Sequence, residues 1–286
     1  MKSAGVTLTL AILAAGALLH AQQPLFRAST DTVEVDVSVM RGNAPVAGLA
    51  AENFEVSDNG VLQQVTAVHR GDIPLKVSLV LDVSASVSGD RLKSLIEAGH
   101  GFVNRLHPDD RVSLLTFSHR VRAVVPFGPP SAAIHDALDH LSGGGLTALC
   151  DAVQLALTQN AQENARSLII VFSDGLDTIS WLSSSDVLAT AKRSPAVLDI
   201  VRFNSNTFLD QLAEATGGRT WSATSNKQLA SQFTEALDEM RARYVLEYTL
   251  SGPPSPGWHP IKVTLKNARG EVRARPGYTV ASASAR

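Results

Sequence analysis

A single cysteine, Cys150, leaves this 286-residue sequence without any intramolecular disulfide. No run of lysine and arginine occurs, and a formal charge of -2 gives no electrostatic footprint for nucleic acid. The phosphate-cradling loop G-x-x-x-x-G-K-[ST] is missing, and so is the G-x-S-x-G elbow of serine hydrolases. The eight histidines never fall into H-E-x-x-H or a similar ligand spacing. A dehalogenase-type phosphoryl-transfer site would want a second carboxylate where Ser84 stands. The apolar run Val6 to Leu19 is shorter than the roughly 20 residues of a spanning helix. Cys150 has no neighbouring Lys or Arg to lower its pKa and reads as a buried side chain rather than a reactive thiol.

What is present suits a packed, exported protein. The chain is 44% hydrophobic and 18% charged, ample for a core. Residues 1–21 read as a signal peptide: Lys2, the apolar run, then Leu19-His20-Ala21 before the cleavage point. The expectation is a secreted or periplasmic protein with no stable membrane span after cleavage, the alternative being a retained N-terminal anchor. Val33, Val35, Val37 and Val39 alternate with polar residues, the pattern of a half-buried antiparallel strand. Asp58-Asn59-Gly60 predicts a tight turn between Phe54–Val56 and Val61–Val68.

From Pro74 the pattern changes to apolar strands alternating with amphipathic helices. Lys76 to Leu81, Val112 to Phe117, Leu168 to Phe172 and Val197 to Phe203 read as strands, and Val121 to Val125 as an antiparallel hairpin partner. Helical stripes occupy 90–106, 131–141, 147–159, 185–192, 208–215 and 226–240, with Ser88 a candidate cap for the first. After Arg241 the period returns to two, and Glu271 to Tyr278 reads as one more strand. The fold class is therefore α/β: a doubly wound, mostly parallel sheet with helices on both faces over 74–241. A small β-sandwich is expected from an N-terminal segment, 22–73, packing with a C-terminal one, 242–286.

Three places carry chemistry. The buried strand at 76–81 releases Asp82, Ser84 and Ser86 at alternate positions. Gly143-Gly144-Gly145 leads to Thr147 at the start of a helix, and the strand at 168–172 ends in Ser173-Asp174-Gly175. Each has a plain reading: Ser and Asp as helix caps, Thr147 as a cap, Asp174 as a turn former. Together they put two carboxylates and three hydroxyls at the carboxyl edge of one sheet, where ligands of open α/β sheets sit. A carboxylate and hydroxyls at such a strand tip suit a hard cation or an anion.

Asp82, Ser84, Ser86, Thr147 and Asp174 in this order resemble the metal-ion-dependent adhesion site of the von Willebrand factor type A domain. The resemblance covers roughly residues 74–241. The segments Gly48 to Gly60 and Arg243 to Tyr248 also resemble the flanks of exported bacterial proteins related to that domain. The resemblance implies Mg2+, with Mn2+ and Ca2+ as the other candidates. It implies hydroxyls bound to the ion, aspartates acting in part through water, and a coordination position filled by an Asp or Glu of a protein partner. It implies a non-enzymatic adhesion or interaction module, the alternative being a structural or envelope-assembly scaffold whose metal only stabilises loops. A hydrolase would need a general base that is not already a ligand, and the motifs offer none. Asp151 reads as structural, Asp177 as a neighbour of Asp174 or a member of the ion's shell, and His119 as an exposed turn residue or part of the partner surface. Trp181 and Trp221 read as partner anchors or as core.

Overall fold

The computed structural model describes residues 32–280, except 72, 162–164, 175 and 252–254. The expected signal peptide, residues 1–21, lies outside the described residues. The first strands are β1 (Thr32–Arg41), β2 (Ala44–Pro45), β3 (Phe54–Asp58), β4 (Val61–Gln63) and β5 (Val65–His69). The α/β unit follows as β6 (Leu75–Asp82), α1 (Asp90–Val103), β7 (Arg111–Phe117), β8 (Val121–Gly128), α2 (Ala132–Asp139) and α3 (Leu149–Asn160). It continues with β9 (Arg166–Ser173), α4 (Ser184–Arg193), β10 (Val197–Arg202), α5 (Thr207–Thr216), β11 (Thr220–Ser222) and α6 (Leu229–Ala242). The chain closes with β12 (Tyr244–Thr249), β13 (Gly257–Leu265), β14 (Glu271–Ala274) and β15 (Gly277–Val280).

The central sheet has the order β11-β10-β9-β6-β7-β8. Its neighbours run parallel except β7 and β8, which form the antiparallel edge. All eight residues of β6 are buried, as a strand covered on both faces requires. Leu75, Val77, Leu79 and Leu81 pack into one cluster with α1, α2 and α6; Val80 packs into another with α3, α4 and α5. The polar residues of β6 are matched inside: Ser78 meets Ser113 Oγ at 3.1 Å and Asn160 Nδ2 at 2.9 Å, and Lys76 Nζ donates to the Gln159 carbonyl at 3.0 Å. Close approach of the helices needs a glycine at Gly99, where a Cβ would lie 2.9 Å from Leu138.

Parallel pairing describes this sheet only; the flanking strands are antiparallel throughout. One flanking sheet runs β14-β1-β12-β5, with β2 on β1, and the other runs β15-β13-β3-β4. Each therefore draws strands from both sides of the α/β unit. Val35, Val37, Phe54, Val56, Tyr244, Leu246, Tyr248 and Ile261 from the two sheets share one hydrophobic cluster. Asn59 and Gly60 both have positive φ, 49° and 81°, so the β3–β4 turn forms where the Asn-Gly pair predicts it.

Three local expectations change. Residues 61–68 are two strands in different sheets, because β4 pairs with β3 while β5 pairs with β12. Residues 271–278 split likewise into β14 and β15 around Pro276, which has no N–H for a ladder and instead accepts Ile261 N–H at 2.8 Å. Ser88 is not the cap of α1: Gly89, with φ 58°, holds that position and no side chain caps it. Among the described residues no helix is long and apolar enough to cross a membrane.

Candidate functional site

Parallel pairing of β6 with β9 and β7 brings their carboxyl ends to one edge. Asp82 closes β6 with its side chain wholly buried. One carboxylate oxygen accepts the Ser84 N–H at 2.8 Å and the other accepts the Ser173 hydroxyl at 2.8 Å. Ser84 Oγ lies 3.0 Å from Ser86 Oγ, and Ser86 donates to Asp174 Oδ1 at 2.7 Å. Asp82, Ser84, Ser86 and Asp174 are thus linked in one hydrogen-bonded chain, through the Ser84 N–H at its first step and through hydroxyls after it. Burial pushes the Asp82 carboxyl above its ordinary range; hydrogen bonds from Ser84 and Ser173 oppose this, and the charge of Asp174 adds to it.

Thr147 reaches this edge on the 143–148 loop. Gly144 N–H donates to Val83 O at 2.8 Å, Ala85 N–H to Gly145 O at 3.0 Å, and Ala148 N–H to Ser118 O at 2.8 Å. The approach is too close for side chains: a Cβ on Gly143 would lie 2.4 Å from Val87 O, and one on Gly145, at φ +86°, 2.3 Å from His119 Nδ1. Thr147 is buried, and its N–H donates to Thr178 Oγ1 at 2.9 Å. Among the described residues its hydroxyl makes no hydrogen bond with the other four.

The plain capping readings do not describe these residues. Helix α1 is capped by no side chain, and α3 is capped from a distance by Asp177, whose Oδ1 accepts Leu149 N–H at 2.8 Å and Cys150 N–H at 3.2 Å. Asp177 is therefore held by the helix end and by Ser180 Oγ at 2.5 Å. Asp151 accepts the N–H groups of Trp181 and Leu182 at 3.1 and 3.0 Å, the structural role expected of it. Asp174 is bound by side chains remote in sequence, those of Ser86, Arg91 and Asn204.

Sequence reading missed three neighbours of the site. The Arg91 guanidinium sits on Asp174 Oδ2 and over the Phe203 ring, 4.4 Å from its centroid. Asn204 Nδ2 donates to the Asp174 carbonyl at 2.5 Å, and Ser173 holds Asp82 as above. Only helix phase and strand register bring Arg91 and Asn204 here; the sole sequence signal was that Arg91 stands in the first turn after the serines. Cys150 is buried, and burial pushes its thiol up to about 12. Trp221 is core, while Trp181 is almost fully exposed. His119 is an exposed turn residue that walls a cavity beside the loop at 143–145.

A second buried polar cluster lies in the flanking sheets. Asp58 accepts His259 Nδ1 at 2.9 Å, Tyr248 OH at 2.7 Å and Tyr278 OH at 2.9 Å. Ser255 Oγ lies 3.3 Å from His259 Nε2, so Ser255, His259 and Asp58 stand in the sequence of contacts of a nucleophile, base and acid. Nε2 is closer to the Ser255 carbonyl, at 2.7 Å, and a nitrogen donating there holds a proton rather than accepting one from the hydroxyl. The arrangement pins the 255–259 segment to the sheet.

The donor set at the sheet edge fits a hard divalent cation. It contains only oxygen, two carboxylates among hydroxyls, and Asp82 is buried with no cationic side chain paired to it among the described residues. Among the described residues no group of three or more His, Cys, Asp and Glu gathers, so a softer, nitrogen- or sulfur-rich site is not built here. Arg91 is the one feature that competes, since it occupies an oxygen of Asp174.

Residues 77–176 match the family model of the von Willebrand factor type A domain. An uncharacterised protein of Synechocystis is 34% identical over 111 residues, covering 37% of this chain and 26% of its own length. Inter-alpha-trypsin inhibitor heavy chain H2 of Sus scrofa is 25% identical over 189 residues, covering 59% of this chain and 20% of its own. The chain thus spans about a quarter or less of these relatives. Among solved structures, a von Willebrand factor type A protein of Catenulispora acidiphila superposes with TM-score 0.54 at 13% identity, over 91% of this chain and 76% of that one. The PilB minor pilin of Streptococcus sanguinis, as its D319A mutant, gives 0.52 at 14% identity over 61% and 63%. These likenesses concern the fold.

Proposed function

With residues 77–176 constituting a von Willebrand factor type A domain, we propose that this chain is an exported, non-enzymatic binding module that captures an acidic side chain of a protein partner through a divalent cation. The observation that carries the proposal is the hydrogen-bonded chain from buried Asp82 through Ser84 and Ser86 to Asp174. Asp82, Ser84, Ser86, Thr147 and Asp174 would hold the ion, Mg2+ first and Mn2+ or Ca2+ in its place. A bound ion would supply an electron-poor centre for the partner's Asp or Glu. The chain's own residues prepare that edge: Ser84 and Ser173 orient Asp82, Asn204 fixes the Asp174 backbone, and Thr178 fixes Thr147.

The flanking segments would form one β-sandwich that carries the domain, and residues 1–21 would direct export. Membership of a family of interaction modules supports a binding role over catalysis. The scaffold reading, in which the metal only stabilises loops, draws its support from Arg91, which already neutralises Asp174. Asp82→Ala separates the two. Loss of metal-dependent partner capture, with the melting temperature in chelator unchanged, supports recognition; retained capture with a melting temperature lowered in metal supports the scaffold.

A further inference from the structure

The surface beside the candidate site is unevenly composed. Nine large apolar side chains are exposed among the described residues, and five of them belong to two adjoining loops. Leu146 is 53% exposed, Leu176 67%, Ile179 44%, Trp181 96% and Leu182 38%. Exposed apolar side chains gathered on neighbouring loops of a folded surface mark a contact. Here the backbone beneath it is fixed: Thr178 is tied to Thr147, Ser180 to Asp177, and Trp181 and Leu182 to Asp151. A tryptophan held outward on a fixed backbone costs little order when it is covered, which is how binding hot spots are built.

On the other side of the 143–146 loop the surface is cationic. His119, Arg120, Arg122 and His140 line a cavity of about 800 Å³ that shares Val83 and Gly143–Gly145 with the walls of the candidate site. Neither Arg120 nor Arg122 has an ion-pair partner among the described residues. The one carboxylate in the lining, Asp136, faces His140, with Oδ1 3.5 Å from Nδ1. In strand order the site at the end of β6 lies between the loop after β9, which carries Trp181, and the β7–β8 turn, which carries Arg120. Cation site, apolar platform and arginine cleft therefore form one strip along the sheet edge.

We infer that the partner presents a segment in which acidic side chains stand next to a large apolar one, the acids meeting the ion and the Arg120–Arg122 cleft and the apolar side chain covering Trp181. This rests on the cation reading above and adds the chemistry of what surrounds the captured carboxylate. An acid alone would leave the platform in water; an apolar segment without acids would leave both arginines and the ion unmatched.

The test is selection of random peptides displayed on phage against the purified protein in magnesium, with elution by chelator. The expected pool is rich in Asp and Glu with Trp, Phe or Leu a few positions away. Against Trp181→Ser the pool keeps its acids and loses the apolar enrichment, and a peptide selected on the parent protein binds the variant about 30-fold more weakly. Arg120→Glu with Arg122→Glu reduces the number of acids per peptide. Trp181 is so exposed that its replacement leaves the melting temperature unchanged, which is the control for folding. A chelator-eluted pool rich in acids but without apolar enrichment, or indifferent to Trp181→Ser, overturns this inference and leaves the cation reading standing. No chelator-eluted pool at all overturns both.

Discussion

Asp58 and Asp82 each end a strand, each is almost wholly buried, and each accepts hydrogen bonds from residues far away in sequence. They differ in what surrounds them. Asp58 receives His259 and the hydroxyls of Tyr248 and Tyr278, so its charge is met by a titratable cation and two donors. Asp82 receives one N–H and one serine hydroxyl, and the charge of a second carboxylate, Asp174, adds to the cost of its burial. A buried charge completed by protein donors holds structure together. A buried charge left incomplete is a place for something to bind, because its burial is a standing penalty that a ligand can remove.

The largest test of this contrast is stability. Asp58→Ala should lower the unfolding free energy by about 3–5 kcal/mol, since it strands His259 and two tyrosine hydroxyls in the interior. Asp82→Asn in chelator should change it by less than about 1 kcal/mol, because the amide keeps an acceptor for Ser84 N–H and Ser173 can turn to accept. Urea titration of both variants decides; equal losses would end the distinction.

Next comes the response to metal. Magnesium or manganese at about a hundred times the dissociation constant should stabilise the parent protein by about 2.7 kcal/mol, and Asp82→Asn should abolish this gain. Thermal melting with and without chelator reads it. Arg91→Met should then bind the ion more tightly, on the order of tenfold, because a fixed cation leaves Asp174. Weaker binding in calorimetry would instead make Arg91 a support of the site.

The smallest effect is that of pH. Hydrogen bonding to the Ser255 carbonyl and the charge of Asp58 raise His259 above its ordinary 6.5. A histidine raised on folding contributes stability that is full below 6.5 and is lost as pH climbs through the higher folded value. Urea midpoints of the parent should therefore fall over that interval, and those of His259→Gln should fall less. Asp82 acts in the same direction over a lower interval: with its carboxyl raised above 3.8, stability falls as pH climbs through its folded value, and acid relieves a penalty that is present at neutral pH.

Much of this was legible before any coordinates. The apolar run into Asp82 and the strand into Asp174 are local patterns that landed at the expected strand ends, while Thr147, expected at the start of a helix, stands in the loop before α3. What escaped the sequence depends on phase and register. Arg91 meets Asp174 because of how α1 leaves Gly89, and Asp177 caps α3 from 28 residues away. The strand expected at 61–68 divides because its two halves serve different sheets, and Trp181 and Trp221 differ in burial although both follow a serine or threonine in polar surroundings.

The sequence by itself determined the alternation of strand and helix, and with it the edge at which Asp82, Ser84, Ser86, Thr147 and Asp174 emerge, because hydrophobic period and glycine placement act within a few residues. Only the tertiary structure decided which buried carboxylate gains a histidine and two tyrosine hydroxyls and which does not, because the donors around Asp58 and Asp82 come from segments up to 220 residues apart. Burial is a property of the packed whole, and so is the free energy of every charge within it.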